Sequence, residues 1–410
     1  MKLRWRVASI ILVIAVWFAL LISPVGAQAA GYVAFVNSSG QLVVSSADGG
    51  YRWIVTNPGE SLLGGYQWAG DELFFAVDDG AGYSFRVGSV NAQNVTEIGR
   101  AAGGFYAGAV FTGDQAFVSV GGTISVYPGG SAVAGGDLPA ASLGVASGSM
   151  ILARGNGQYQ LVGADGSVVP LGAANDPGSP YIALWSGRAP LVAYADYGFG
   201  SGLGVTNANT GETVALDDNG SIPLLPLTWA GTDLIYRGTG GVIRLVDLGC
   251  LQGGGCGDPF GASVDLLPGS AEDVHTDGSW VYFRDGESIG AVDLGCVNRG
   301  DCLNSAQTLG IAAAPETALH VGGRILIYTG YTSNPYDPAD REVRAVDLGC
   351  LGNSCNPVTV SAGTAGGLDP AGNAVVVQDA VGGLSVLSLR NGSAAYLSDG
   401  GDLSEARWSS

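Results

Sequence analysis

The sequence predicts an all-β protein, a single closed β-propeller of about nine four-stranded blades, with eight the alternative count, whose two termini share one blade. Three observations predict it. The chain carries 69 glycines and 47% hydrophobic residues against 13% charged ones, which excludes disorder and calls for many short strands joined by tight turns. No stretch after Ile22 keeps a 3.6-residue apolar period for three turns, so helices are not expected. Two patterns also recur at the spacing of one propeller blade.

The first pattern is Val-Asp-Leu-Gly-Cys, at Val246–Cys250, Val292–Cys296 and Val346–Cys350, 46 and then 54 residues apart. A strand-like run precedes each copy: DLIYR at 233–237, WVYFR at 280–284 and RILIY at 324–328. The second pattern spans the chain. A bulky residue ends one strand, a short Gly turn follows, and a new apolar run begins. Its members are Trp68, Phe111, Ala146, Trp185, Trp229, His275, His320, Leu368 and Trp408, at intervals of 35 to 48 residues. Four of the six tryptophans beyond residue 29 stand in this column.

Each unit then reads as four strands A to D joined by hairpins, in the second unit at about 62–68, 72–77, 83–90 and 94–98. The first unit lacks its A strand and starts on 32–36, 41–45 and 52–55, while the chain ends on a lone A-like strand at 403–408. Together the two ends make one blade and leave no open edge. The count is nine units. The short one at 141–171 is the irregular member, and setting it aside leaves eight.

The Trp-Ser/Ala-(x)-Gly column resembles the WSPDG-type motif of TolB-like and WD-repeat-like bacterial propellers. Leu368-Asp369-Pro370-Ala371-Gly372-Asn373 and His275-Thr276-Asp277-Gly278-Ser279 are its nearest copies. The resemblance covers nearly all of the chain after residue 29, with degenerate copies throughout. It implies the propeller fold and the protein-binding or scaffold roles common to such propellers; a fold by itself names no function.

Residues 1–29 read as an export signal. Lys2, Arg4 and Arg6 precede an apolar run from Ala8 to Ile22, and Ala27-Gln28-Ala29 supplies a small-x-small cleavage pattern. The run is shorter than the roughly twenty residues of a spanning helix; an uncleaved N-terminal anchor is the alternative. Cleavage removes three basic residues and no acid, so 14 basic face 36 acidic residues, a net charge of −22 on residues 30–410. Such a surface repels phosphate backbones and anionic lipid, which argues against nucleic-acid and membrane-surface partners.

In an exported chain, six cysteines in three closely spaced pairs predict local disulfides, Cys250–Cys256, Cys296–Cys302 and Cys350–Cys355, each bracketing a C–D turn. Zinc is the alternative, but its hairpins favour two to four intervening residues and four converging ligands. His275 and His320, with Glu272, Asp273 and Glu316 nearby, invite a metal or acid–base reading. Their column is otherwise Trp, Phe, Leu and Ala, so they read as packing residues. Residues 46–53 (SADGGYRW) resemble one Asp-box of sialidase-like propellers, a structural turn motif. No nucleophile elbow, P-loop or dinucleotide fingerprint is present, and neither a catalytic residue nor a cofactor or metal site is assigned.

The expectation is a secreted, monomeric, non-catalytic module that binds a protein or a glycan. The alternative is a carbohydrate-active hydrolase or lyase with acidic residues converging on the propeller face. Function concentrates in long loops on rigid scaffolds. The expected ligand-binding loops are therefore the two long aromatic B–C hairpins, with Tyr194, Tyr197 and Phe199 in one and Tyr331, Tyr336, Asp337 and Arg341 in the other.

Overall fold

A blade sits between two neighbours, so its middle strands must be apolar on both faces. Leu42–Ser46, Asp233–Arg237 and Ala374–Gln378 are buried at nearly every position for this reason. The outermost strands, such as Asn94–Ala101 and Ser131–Gly135, meet only one layer and stay mostly open to solvent. The structure, a computed structural model, describes residues 31–136, 142–143, 150–155, 158–173, 182–185, 190–195, 203–217, 227–238, 241–253, 256, 263–315, 317–401, 403 and 406–409. The export signal expected at 1–29 lies outside the described residues.

The chain folds as a β-propeller of eight four-stranded blades. Blade 1 takes Arg407–Trp408 as strand A, then Tyr32–Val36, Leu42–Ser46 and Arg52–Ile54. In blade 2, Ser61–Leu62 and Gln67–Ala69 share the A position against Glu72–Asp78, followed by Tyr83–Ser89 and Asn94–Ala101. Blade 3 runs Tyr106–Phe111, Ala116–Val120, Thr123–Tyr127 and Ser131–Gly135. Blade 4 runs Ile182–Trp185, Leu191–Ala195, Leu203–Asn207 and Thr213–Asp217. Blade 5 runs Leu227–Ala230, Asp233–Arg237, Ile243–Asp247 and Val264–Leu267. Blade 6 runs Ala271–Thr276, Trp280–Asp285, Ser288–Asp293 and Gln307–Gly310. Blade 7 runs His320–Gly322, Ile325–Tyr331, Arg341–Asp347 and Val358–Ala362. Blade 8 runs Thr364–Leu368, Ala374–Gln378, Leu384–Ser388 and Ala394–Ser398.

Eight, the alternative count, is thus the number of four-stranded blades. The short ninth unit is a three-stranded sheet, Met150–Gly155, Gln158–Gly163 and Val168–Ala173. Ser142–Leu143, in the stretch where its first strand is expected, pairs in parallel with Ile182–Trp185 of blade 4.

The recurring Val-Asp-Leu-Gly-Cys run has a mechanical cause. In each copy the Asp carboxylate at the end of strand C accepts the N–H of the Gly two residues on, at 2.8 Å for Asp247, 2.9 Å for Asp293 and 2.8 Å for Asp347. This Asx-turn steers the chain out of the sheet. A Cβ on Gly249, Gly295 or Gly349 would press within about 3.1 Å of that carboxylate, so only glycine fits comfortably. The Leu N–H then donates to the neighbouring A–B turn, at Thr232, Ser279 or Arg324, and the Cys starts the disulfide loop. The copies nearest to WSPDG act likewise on the A–B turn. Asp277 accepts Ser279 N and Trp280 N at 2.8 Å each, and Asp369 accepts Asn373 N at 3.2 Å. The lone Asp-box closes on itself, with Asp48 accepting Ser46 Oγ at 2.5 Å and Gly50 N at 3.0 Å.

A second regularity has no residue signature. The C–D ladder bulges at one repeat position in eight sheets, after Phe85, Ile124, Tyr159, Leu203, Ile243, Ile289, Val343 and Leu384. A bulge adds local twist, and a blade needs strong twist to fan from inner strand to rim. Cores form between blades rather than within them. Val33, Phe35 and Val43 of blade 1 pack on Val376, Leu384 and Val386 of blade 8, while Ala34, Leu42 and Val44 pack on Leu73, Phe75 and Val77 of blade 2. Each such buried side chain contributes about 1.5–3 kcal/mol.

The three disulfides pair Cys250–Cys256, Cys296–Cys302 and Cys350–Cys355, the sequence-local connectivity. Two of their loops also grip the preceding blade by a polar clamp. Asn207 of blade 4 donates to Leu251 O at 2.8 Å, and Gln307 of blade 6 accepts Gly352 N at 2.9 Å. Non-reducing peptide mapping of exported protein is expected to recover three short looped peptides. A major peptide joining two blades would refute this pairing.

Candidate ligand-binding face

Strand direction divides the loops between two faces. A–B turns and the disulfide-tied C–D loops share one. B–C hairpins and D-to-A links share the other, and the longest described B–C hairpin, in blade 7, lies there. Tyr331 and Arg341 face each other at its base. Thr332 N donates to Asp340 O at 3.1 Å, Asn334 N to Asp340 Oδ2 at 3.0 Å, and Tyr336 N to Asn334 Oδ1 at 3.1 Å. These bonds build a self-supporting loop with the Tyr336 ring at its tip, 76% exposed.

The other expected residues of this loop have more local duties. Asp337 caps the short turn Pro338–Asp340 through Ala339 N at 2.9 Å. Arg341 leans toward Thr364 of blade 8 at 3.5 Å. Tyr331 has Glu287 of the blade 6 hairpin beside its hydroxyl, and that carboxylate raises its pKa. Of the second expected loop, Tyr197 and Phe199 lie outside the described residues, as does the Tyr194 side chain.

Sequence reasoning missed three apolar residues of this face. Phe105, on the link from blade 2 to blade 3, is 77% exposed; Ile311, on the link from blade 6 to blade 7, 66%; Val381, in the blade 8 B–C turn, 87%. With Tyr336 they are the most exposed large hydrophobic side chains among the described residues, and all four share one face. The other exposed ones lie elsewhere: Ile54, Val358 and Tyr396 on outer strands, Val168 on the three-stranded sheet, and Leu303 on a disulfide loop. The signal that could have found them is an apolar residue among glycines, outside any strand alternation, as in Gly103-Gly104-Phe105 and Val381-Gly382-Gly383.

The histidine column has a structural duty on the inner strands. Trp68 Nε1 donates to Arg407 O at 3.0 Å, and Trp408 Nε1 to Gly367 O at 2.7 Å, so these two indoles tie the A strands of blades 2 and 1 to their predecessors. In blades 6 and 7 an Asp–His arrangement replaces the indole. Asp273, in a bulge with φ of 48°, accepts His275 Nε2 at 3.0 Å and the Leu319 N–H of the next A strand. Those donors hold its carboxyl below the usual range, against a larger upward push from burial. Burial, with His275 alongside, lowers the His320 pKa to about 4. Glu316 lies outside the described residues.

On the described inner strands the carboxylates are Glu272 and Asp273. Glu272 pairs with Arg284 at 2.9 Å. On the opposite face, burial and the adjacent Asp247 push the Asp233 pKa up to about 6. Among the described residues, no group of three or more His, Cys, Asp or Glu side chains is placed to hold a metal ion.

No protein-family model and no curated protein sequence matches this chain. Among solved structures, the crystal structure of a eukaryotic initiation factor is similar at a TM-score of 0.56 and 11% identity, covering 92% of this chain and 98% of that one. That likeness is one of fold alone. Apo AztD from Citrobacter koseri follows at 0.48 and 12% identity, over 90% of this chain and 96% of that one. TolB from Acinetobacter baumannii stands at 0.37 and 12%, over 96% and 70%. At these scores neither carries further argument. The three disulfides do mark an oxidising, extracellular or periplasmic environment.

Proposed function

We propose that residues 30–410 form a secreted, non-catalytic propeller module of the TolB-like and WD-repeat-like kind, released from an export signal at 1–29, that binds a protein or a glycan through its B–C face. The observation that carries this reading is that Phe105, Ile311, Tyr336 and Val381, the most exposed large apolar side chains among the described residues, all stand on that face. Exposed apolar side chains lose free energy in water unless a partner covers them. Tyr331 and Tyr336 add rings with a polar tip, a type suited to polar or sugar ligands. The acidic surface argues against nucleic acid and anionic membranes as partners.

The test is binding of the exported protein to a glycan array, beside a pull-down from the envelope and medium of the producing cell. Replacing Tyr331 and Tyr336 by Ala is expected to weaken capture at least tenfold. Gln252→Ala, on the disulfide face, is expected to leave it unchanged. Equal losses from both, or a loss from Gln252→Ala alone, would move the site to the disulfide face.

A further inference from the structure

The eight blades carry their charges differently on the two faces. The described residues of the B–C hairpins and D-to-A links include seven acidic side chains and no basic one. The described A–B turns and C–D loops of the same blades also hold seven acids, but with Arg299, Arg324 and Arg390 among them. On the open face two of the seven are matched by ion pairs, Glu60 with Arg86 at 2.9 Å and Asp79 with Arg100. The other five, Glu287, Asp337, Asp340, Asp379 and Asp399, all belong to blades 6 to 8. They form no ion pair among the described residues. We propose that this sector of the open face, blades 6 to 8, docks a basic and partly apolar segment of a partner protein. The inference rests on the proposed function and narrows its ligand to a polypeptide bearing Lys or Arg.

The same sector holds three of the four most exposed large apolar side chains, Ile311, Tyr336 and Val381. Its hairpins stand side by side. Tyr331 N of blade 7 donates to Ala312 O of the link from blade 6 at 3.1 Å, and Ala313 N of that link donates to Glu287 O at 2.9 Å. Gly363, on the link from blade 7 to blade 8, lies so close to Gln378 O at the foot of the blade 8 hairpin that a Cβ would clash there. Ile311 and Val381 are aliphatic and offer a sugar no ring to stack on. They suit the Leu, Met or Phe side chains of a polypeptide.

The carboxylates are held in place without being neutralised. Asp379 takes Val381 N at 2.9 Å and Gly383 N at 2.8 Å, both on Oδ1, and so fixes the turn that carries Val381. Asp337 takes Ala339 N, and Asp399 the Tyr396 hydroxyl, again on Oδ1. In all three, Oδ2 remains for a donor from outside. The arginines of the blade 7 hairpin are engaged within the chain: Arg344 pairs with Glu342, and Arg341 leans on Thr364. A cationic partner therefore meets fixed negative charge and displaces no internal ion, the arrangement that steers and orients an incoming chain. A second copy of this protein is a poor occupant, because residues 30–410 carry 36 acidic against 14 basic residues and like faces repel. A metal ion fits no better, since no three of the described His, Cys, Asp or Glu side chains converge.

The experiment measures capture of the full exported chain on immobilised short synthetic peptides, beside a glycan array. One peptide set mixes Lys with Leu and Phe, a second has Glu for every Lys, and a third has Ser for every apolar residue. Only the first set is expected to bind, about tenfold more weakly when salt rises from about 50 to about 300 mM. Glu287→Gln with Asp379→Asn is expected to weaken that capture about tenfold, and Ile311→Ser with Val381→Ser by a similar factor. All four positions are exposed, and Asn keeps the Oδ1 acceptor of residue 379, so melting temperatures are expected to hold. Asp114→Asn, an exposed carboxylate on the opposite face, is expected to change nothing. Equal weakening by Asp114→Asn, or equal capture on the Lys–Ser set, would reduce the effect to net charge and overturn the sector. No peptide captured, with a glycan bound and lost in Tyr336→Ala, would overturn the basic partner while leaving the open face as the site.

Discussion

Deleting residues 401–410 is expected to lower the melting temperature sharply or drive the protein into aggregates. Arg407–Trp408 is strand A of blade 1, with Trp408 facing Val33 and Arg407 facing Ala34. Ser409 N donates to Tyr32 O at 2.8 Å, and Tyr32 N donates back to Ser409 Oγ at 3.1 Å. The Trp408 indole ties this strand to Gly367 of blade 8, and Gln378 of that blade reaches Gly401 O at 3.0 Å. Leu403 and the buried Ala406 join the core shared by blades 1 and 8. The deletion therefore strips an edge off Tyr32–Val36, opens the seam between first and last blades, and removes a large side chain. Truncating a core Trp alone typically costs about 3–5 kcal/mol, and the half-buried Trp408 belongs at the low end. Trp408→Ala should thus lower the melting temperature by a smaller step than the deletion. Thermal melts with size-exclusion chromatography decide the matter. Unchanged melting of the truncated chain would mean that these residues do not close the first blade.

What was legible in the sequence and what was not divides along physical lines. The three Asp-Leu-Gly-Cys copies stand out because one local bond, Asp carboxylate to Gly N–H, demands those residues at that spacing. The Trp column is legible because an indole is what reaches the neighbouring A strand. The bulge of the C–D ladder uses no particular residue: Arg86, Ser125, Gln160, Gly204, Arg244, Gly290, Arg344 and Ser385 all follow it. Backbone twist asks for it, and side chains merely tolerate it. The choice between nine and eight blades stayed open because residues 141–171 carry enough apolar alternation to read as a unit, and they do form a three-stranded sheet. Pairing alone reveals that Ser142–Leu143 goes to the next blade. Of the candidate sites, Tyr331 and Tyr336 were visible in a long loop. Phe105, Ile311 and Val381 were not, since nothing in the residues beside them says that strand direction brings them to one face.

Acidification is expected to destabilise the protein between about pH 6.5 and pH 4, and His320→Leu is expected to remove a large part of that loss. His320 stands on strand A of blade 7, its Nε2 sealed from solvent without a hydrogen-bond partner. Burial first, then His275 beside it, bring its folded pKa down to about 4 from the ordinary 6.5; Asp273 and the Ala365 backbone pull weakly the other way. Above about pH 6.5 the imidazole is neutral in both folded and unfolded chains, and its contribution is fully present. As pH falls toward 4, the unfolded chain takes up a proton that the folded chain refuses, so stability declines. The loss saturates at about 3 kcal/mol once pH drops below the folded value. Asp273 acts in the same direction at still lower pH, because its depressed folded pKa means stability lost only as that carboxylate finally protonates. Leucine matches the column's apolar members and carries no titrating group. Denaturant melts at pH 7, 5.5 and 4 should show the wild type falling toward the variant or below it. His275→Gln, at a side chain 40% exposed, should change the slope far less. A wild-type slope kept intact in His320→Leu would place the acid sensitivity on other groups.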